Sequence, residues 1–267
     1  MQRQHHRTIF LSDFHLGSRL AKAEELLSFL ASHDADTWYL VGDIFDLKRL
    51  RRRYYWPRSH ARVIRALRQK ARAGARLVYL PGNHDPELHA RTGVRRHLPG
   101  IEVVPHTVHE TAQGRRLLVI HGDRQEPHLP RASAKYVAGC TAYLLGVGAS
   151  ELVGRGRAAV GLGYWSLSAA LKDRVLPRVG LIAQYRANLL REARTHGCDG
   201  VICGHIHHAG AEVADGLLYV NCGDWVDSCS AVVENADGEL SLVRWAGVPD
   251  TAPAARRAFR PEPLPAW

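Results

Sequence analysis

A chain of 267 residues, 46% of them hydrophobic, can bury a sizeable core as one domain or as a domain carrying an insertion. Its net charge of +10 points to anionic partners or substrates. Five cysteines (Cys140, Cys198, Cys203, Cys222, Cys229), an odd number without framework spacing, point to reduced thiols in a cytosolic compartment. No segment approaches the ~18 apolar residues of a spanning helix, and no apolar signal core precedes the first strand, so a soluble or peripheral protein is expected.

In chain order, the first β-prone run, Thr8 to Leu11, leads into Asp13-Phe14-His15. The second, Trp38 to Val41, ends in Gly42-Asp43. A basic-aromatic segment follows, Lys48 to Trp56, read as a loop. From Lys48 to Arg76 there are twelve Lys and Arg and no Asp or Glu. Within it, residues 58–73 have helical periodicity, with Val63, Ile64, Leu67 and Ala71 on one face and arginines on the other. The segment reads as a solvated basic surface, or as a contact for an anionic membrane, a substrate's phosphates or, less favoured, nucleic acid. Arg51, Arg52 and Arg53 are the candidates for phosphate oxygens. Tyr54, Tyr55 and Trp56 are amphipathic side chains of the membrane-interface type.

The third run, Leu77 to Leu80, precedes Gly82-Asn83-His84-Asp85, and the fourth, Leu117 to Ile120, precedes His121-Gly122-Asp123. Residues 128–190 carry no such motif and read as mostly helical, an insertion that is either a packed helical pair or a lid. The fifth run, Val201 to Cys203, precedes Gly204-His205-Ile206-His207, whose imidazoles fall on one side if the segment is extended. The tail, 248–267, is rich in Pro, Ala and Arg and is expected to be mobile. The division is therefore a core of 1–127 and 191–247, an insertion of 128–190, and a tail. No Gly-rich loop followed by Lys-Ser/Thr and no Gly-x-Ser-x-Gly occurs.

If the five strands share a sheet, their motifs meet at its carboxyl edge, where open α/β sheets place ligands. Asp13, His15, Asp43, Asn83, His121, His205 and His207 would then form a mixed nitrogen and oxygen cage. Without cysteine this is no structural thiolate zinc site. Seven ligands are too many for one tetrahedral ion, whereas two divalent ions sharing a carboxylate fit. Asp43, alone at its strand end, is the natural bridge. Mn²⁺ is the leading candidate, with Zn²⁺ or Fe²⁺ as alternatives. His84 can serve as a hydrogen-bond donor or general acid, and Asp85 and Asp123 are placed to orient histidines.

The ordered set of five motifs over residues 8–225 resembles the calcineurin-like metallophosphoesterase superfamily. The resemblance implies a four-layer α/β/β/α sandwich with a dinuclear site at the sheet edge. It also implies one ion on Asp13, His15, Asp43 and His207, a second on Asp43, Asn83, His121 and His205, and His84 beside the phosphate. Val41-Gly42-Asp43-Ile44-Phe45-Asp46, Tyr164-Trp165-Ser166-Leu167-Ser168 and Asn221-Cys222-Gly223-Asp224-Trp225 are similar to the UDP-2,3-diacylglucosamine diphosphatase branch. That branch implies attack of metal-bound hydroxide on a pyrophosphate, releasing UMP and a sugar-lipid phosphate, at the cytoplasmic face of a membrane. It also implies a helical lid in 128–190, with Tyr164, Trp165, Ser168 and Lys172 as substrate contacts. The branch carries Arg after the metal-binding Asn, where this chain has His84. Phosphoesterase action on another lipid, nucleotide or phosphodiester is the second expectation, and a metal-stabilised basic binding module the third.

Overall fold

The computed structural model describes residues 3–91, 100–126, 181–245 and 259–265. The chain divides into two compact units. One comprises Met1–Asp123, Leu190–Trp245 and Phe259–Trp267, and the other Arg124–Leu189 and Ala246–Ala258. The first unit holds two sheets. In the larger, β1 (Gln4–Leu11), β2 (His33–Val41), β3 (Arg76–Leu80) and β4 (Ile101–Val103) are parallel. The smaller sheet contains β5 (Thr107–Glu110), β6 (Arg116–Val119), β7 (Gly200–Cys203), β8 (Gly210–Ala214) and β9 (Leu217–Asn221) in the order β5-β6-β7-β9-β8. Here β6, β7 and β9 are parallel and the edges antiparallel. Strands β10 (Ser230–Glu234), β11 (Leu240–Trp245) and β12 (Phe259–Pro263) extend the larger sheet antiparallel to β1, giving seven strands. All five apolar runs are strands, and the mixed α/β class with two sheets holds.

Alternation along the strands builds two cores. Ile9, Leu11, Trp38, Leu40, Leu77 and Tyr79 pack with Leu26, Phe29 and Leu30 of α1 (Ala23–Ser32) and Val63 and Leu67 of α3 (Arg58–Arg72). Between them in sequence, Phe10, Tyr39, Val41, Val78 and Leu80 join Leu117, Val119, Ile202, Leu218 and Val220 of the smaller sheet. Strands buried on both faces show continuous apolar runs because each alternate residue has a core of its own. A buried polar bolt also joins the sheets. Glu234, wholly buried on β10, accepts from Arg7 at 2.7 Å, His109 Nε2 of β5 at 2.8 Å and the Ala112 amide at 2.9 Å.

Two expectations change. The basic-aromatic segment is not a loop throughout: Leu47–Arg52 forms helix α2, whose first turn is capped by the Asp46 carboxylate accepting from the Arg49 amide at 3.0 Å. Nor is the whole tail loose, since Phe259–Pro263 pairs with β11 as an edge strand. Pro261 and Pro263 are tolerated because an edge strand leaves one row of backbone groups unpaired. Helix α4 (Leu181–Thr195) leads into β7. Tyr164, Trp165, Ser168 and Lys172 lie outside the described residues. Among the described residues, no helix is long and apolar enough to cross a membrane.

Candidate metal centre

The carboxyl ends of β1, β2 and β3 in one sheet and of β6, β7 and β9 in the other meet here. Backbone pairing continues past the strands and zips the loops together. Asp13 N donates to Gly42 O at 3.0 Å, His15 N to Asp43 O at 2.9 Å, Gly204 N to His121 O at 3.1 Å and Trp225 N to Asp13 O at 3.0 Å. Gly42, Gly82 and Gly204 permit the approach: a Cβ would collide with His121 at the first, with Asp43 and His121 at the second, and with Ser12 and Asp13 at the third.

Asp13, His15, Asp43, His205 and His207 all adopt positive φ, between 49° and 72°. Outside glycine this left-handed conformation is uncommon and favours Asp, Asn and His, and it gathers at functional sites. It also corrects the extended reading of Gly204-His205-Ile206-His207. The chain turns between the two imidazoles, so His207 joins Asp13 and His15, while His205 joins Asp43 and His121.

The first cluster has His15 Nε2 3.1 Å from His207 Nε2, His207 Nε2 3.2 Å from Asp13 Oδ1, and His15 Nε2 3.6 Å from Asp13 Oδ1. A point equidistant from three atoms so spaced lies about 2 Å from each, the length of a metal bond to nitrogen or oxygen. Asp13 Oδ2 is committed to the Ser12 hydroxyl and to the His205 amide at 2.9 Å. Asp13 Oδ1, fully buried, accepts no hydrogen bond. A buried carboxylate oxygen left so is costly unless a cation completes it.

In the second cluster, Asp43 Oδ1 accepts from the His84 amide at 2.7 Å. Its Oδ2 lies 3.5 Å from His121 Nε2 and 3.9 Å from His15 Nε2, facing both clusters. Asn83 Oδ1 is 3.4 Å from His121 Nε2. His121 Nδ1 donates to the Val41 carbonyl at 2.9 Å, which turns Nε2 toward the centre as the ligand nitrogen. Asp13, His15, Asp43 and His121 form a buried floor, and Asn83, His84, His205 and His207 a half-buried rim. The electrostatics ask for cations. Burial raises the Asp13 carboxyl, but His207 and His15 overcome it and hold it well below the usual range. Asp43 is brought to about 2 against its burial by His121. Burial lowers the His121 imidazole, yet Asp43 and Asp13 lift it to about 10. In the protein alone, protons compensate these carboxylates where divalent ions fit.

His84 stands edge-on to His15, with ring centroids 4.7 Å apart, and its Nδ1 is 3.1 Å from Asp46 Oδ1. Asp46, absent from the sequence-based candidates, both caps α2 and orients His84. Its signal was available as the second carboxylate of Gly42-Asp43-Ile44-Phe45-Asp46. Asp224 was likewise visible only within a longer resemblance, and its Oδ1 lies 3.9 Å from His207 Nδ1. Asp85 does not orient a histidine. Its carboxylate clamps backbone, accepting from Gly82 N at 2.6 Å, Ile44 N at 2.9 Å, Phe45 N at 3.3 Å and the Tyr79 hydroxyl, thereby tying the β2 and β3 loops. Asp123 opens a 3₁₀ turn, Asp123–Gln125, and contacts no histidine among the described residues. Arg51 is engaged by Glu87 at 2.6 Å, while Arg52 and Arg53 are exposed.

Residues 6–209, well over half of the chain, match the family described as calcineurin-like phosphoesterase. Vacuolar Protein Sorting 29 from Cryptosporidium parvum is similar in fold, at 11% identity over 96% of each chain with a TM-score of 0.51. Yfce, a phosphoesterase from E. coli, aligns at 18% identity over 91% of this chain and 98% of its own, with a TM-score of 0.44. Wild type Vps29 complexed with Zn²⁺ from Entamoeba histolytica aligns at 14% identity over 96% of this chain and 97% of its own, with a TM-score of 0.46. With its two sheets, its converging carboxylates and imidazoles and this match, the chain belongs to the calcineurin-like phosphoesterase family.

Proposed function

We propose that the protein is a two-metal phosphoesterase. The observation that carries the reading is the buried, unbonded Asp13 Oδ1 at the meeting point of His15 and His207, beside an Asp43 Oδ2 that faces both clusters. Asp13, His15, Asp43 and His207 would hold one divalent ion, Mn²⁺ in the first instance, and Asp43, Asn83, His121 and His205 the other. When bound, such ions neutralise phosphoryl oxygens and supply hydroxide near neutral pH.

The chain's own residues do the rest. Val41 and the His84 amide fix the orientation of His121 and Asp43. His84, half-exposed at the rim and held by Asp46, donates a hydrogen bond to a phosphoryl oxygen or protonates the departing oxygen. The substrate we favour is a UDP-linked acylated sugar, UDP-2,3-diacylglucosamine, cleaved at its pyrophosphate to UMP and a sugar-lipid phosphate. Its support is the sequence similarity of the Val41–Asp46 and Asn221–Trp225 stretches. His84, where that branch carries Arg, favours a second reading: a different lipid, nucleotide or phosphodiester substrate.

The test is turnover of bis-p-nitrophenyl phosphate by chelator-stripped, Mn²⁺-reloaded protein. Activity should appear with metal and fall to background in Asp43→Ala, whose fold is checked by circular dichroism. Full turnover in that variant overturns the two-metal reading. Metal binding without turnover supports a binding module instead. Release of UMP from UDP-2,3-diacylglucosamine then decides between the two substrate readings.

A further inference from the structure

Helix α3 fixes Val63 and Leu67 in the core and turns Arg58, Arg62, Arg65, Arg68 and Arg72 outward, all of them exposed. Steps of four, three, three and four residues keep the five guanidinium groups within an arc of about 120°, in a straight stripe about 21 Å long. Among the described residues, Glu24 pairs with Arg62 at 3.2 Å and no acid pairs with the other four. Like charges at these spacings repel and destabilise a helix, and among the described residues only the Glu24–Arg62 pair offsets them.

The stripe continues toward the metal centre. Exposed Arg52 and Arg53 lie just before α3, followed by Tyr54, which is 78% exposed. The start of α3 is tied to the centre, since Gly17 N donates to His60 Nδ1 at 3.0 Å two residues beyond His15.

We propose that this face docks on an anionic lipid bilayer. Its charges run along one exposed side of the helix and can face a plane of lipid phosphates together. The apolar face of α3 is committed to the core, so attachment is peripheral and electrostatic rather than by insertion. Tyr54, exposed beside the arginines, is amphipathic and suits the headgroup level. Nucleic acid without sequence preference is held by stacking on successive exposed aromatics, whereas here Tyr55 and Trp56 are half-buried against His60. Docking is independent of which ester the metal centre cleaves.

The test is co-sedimentation of the full chain with vesicles of phosphatidylcholine alone or mixed with phosphatidylglycerol, at low and at physiological ionic strength. Binding should require the anionic lipid and weaken with salt. It should fall at least about tenfold in Arg65→Glu/Arg68→Glu/Arg72→Glu, while hydrolysis of bis-p-nitrophenyl phosphate in solution is unchanged. Three outcomes overturn the proposal. One is binding to both vesicle types alike or to neither. Another is an equal loss in Arg116→Glu/Arg191→Glu/Arg194→Glu, which removes the same charge elsewhere. The third is tighter binding to RNA or DNA than to the anionic vesicles, lost in the same α3 variant.

Discussion

Asp46 separates two jobs that one side chain performs. Its carboxylate caps α2 and holds His84, with the Arg49 guanidinium 3.5 Å away. Asparagine caps a helix about as well as aspartate but brings no charge to the imidazole. Asp46→Asn should therefore keep the fold and the metal content and lower kcat about 10- to 100-fold. Steady-state rates beside metal analysis check this, and an unchanged kcat would remove His84 from the chemistry. At this scale the sequence was legible where residue type limits the chemistry. Asp, Asn and His at strand ends identified seven residues that the structure brings together. It was misleading where position alone was used: Asp85 and Asp123 each follow a motif histidine or come close behind one, yet the first clamps backbone and the second reaches no histidine among the described residues.

Elements were legible to the extent that each buries itself. Strands with a core on both faces announced themselves as apolar runs, and α3 through its amphipathic spacing. Short α2 buries no residue, so it left no periodicity to read, and β12 carries two prolines. Glu234 makes the docking of the two sheets measurable. Burial would raise its carboxyl, but His109 and Thr8 overcome it and bring it to about 2, below its ordinary value of 4.5. The depressed folded value means that the stabilisation is complete above about pH 4.5 and is lost as pH falls through about 2. Glu234→Gln should cost about 3 kcal/mol near pH 7, with the gap from the parent closing toward acid. Urea denaturation across that range checks it, and a gap independent of pH would assign the loss to packing.

Taken whole, the molecule gathers buried carboxylates and imidazoles in clusters suited to divalent ions. Ligand that binds only the folded state stabilises it by mass action, about 2.7 kcal/mol at a hundredfold excess over Kd. Stripping divalent ions should then lower Tm by roughly 5–10 °C for a chain of this size, and Mn²⁺ should restore it. Scanning fluorimetry with chelator and add-back checks this, and no shift would argue against occupancy of these clusters. The family was legible because its motifs stand in order over residues 8–225, and the family match spans residues 6–209. What the site cleaves was not, since identical ligands serve many esters and the expected substrate contacts Tyr164, Trp165, Ser168 and Lys172 lie outside the described residues.

The ligands of the metal centre lie far apart in the chain. Asp13 and His205, joined by a hydrogen bond, are 192 residues apart, as are His15 and His207. A ribosome releasing this chain delivers the Asp13, His15, Asp43 and Asn83 half long before the histidines of the β7 loop exist. Closing so long a loop is slow, so a nascent chain offers an ion only half a set of ligands. The complete set of ligands is thus offered only by the folded chain, never by the emerging polypeptide.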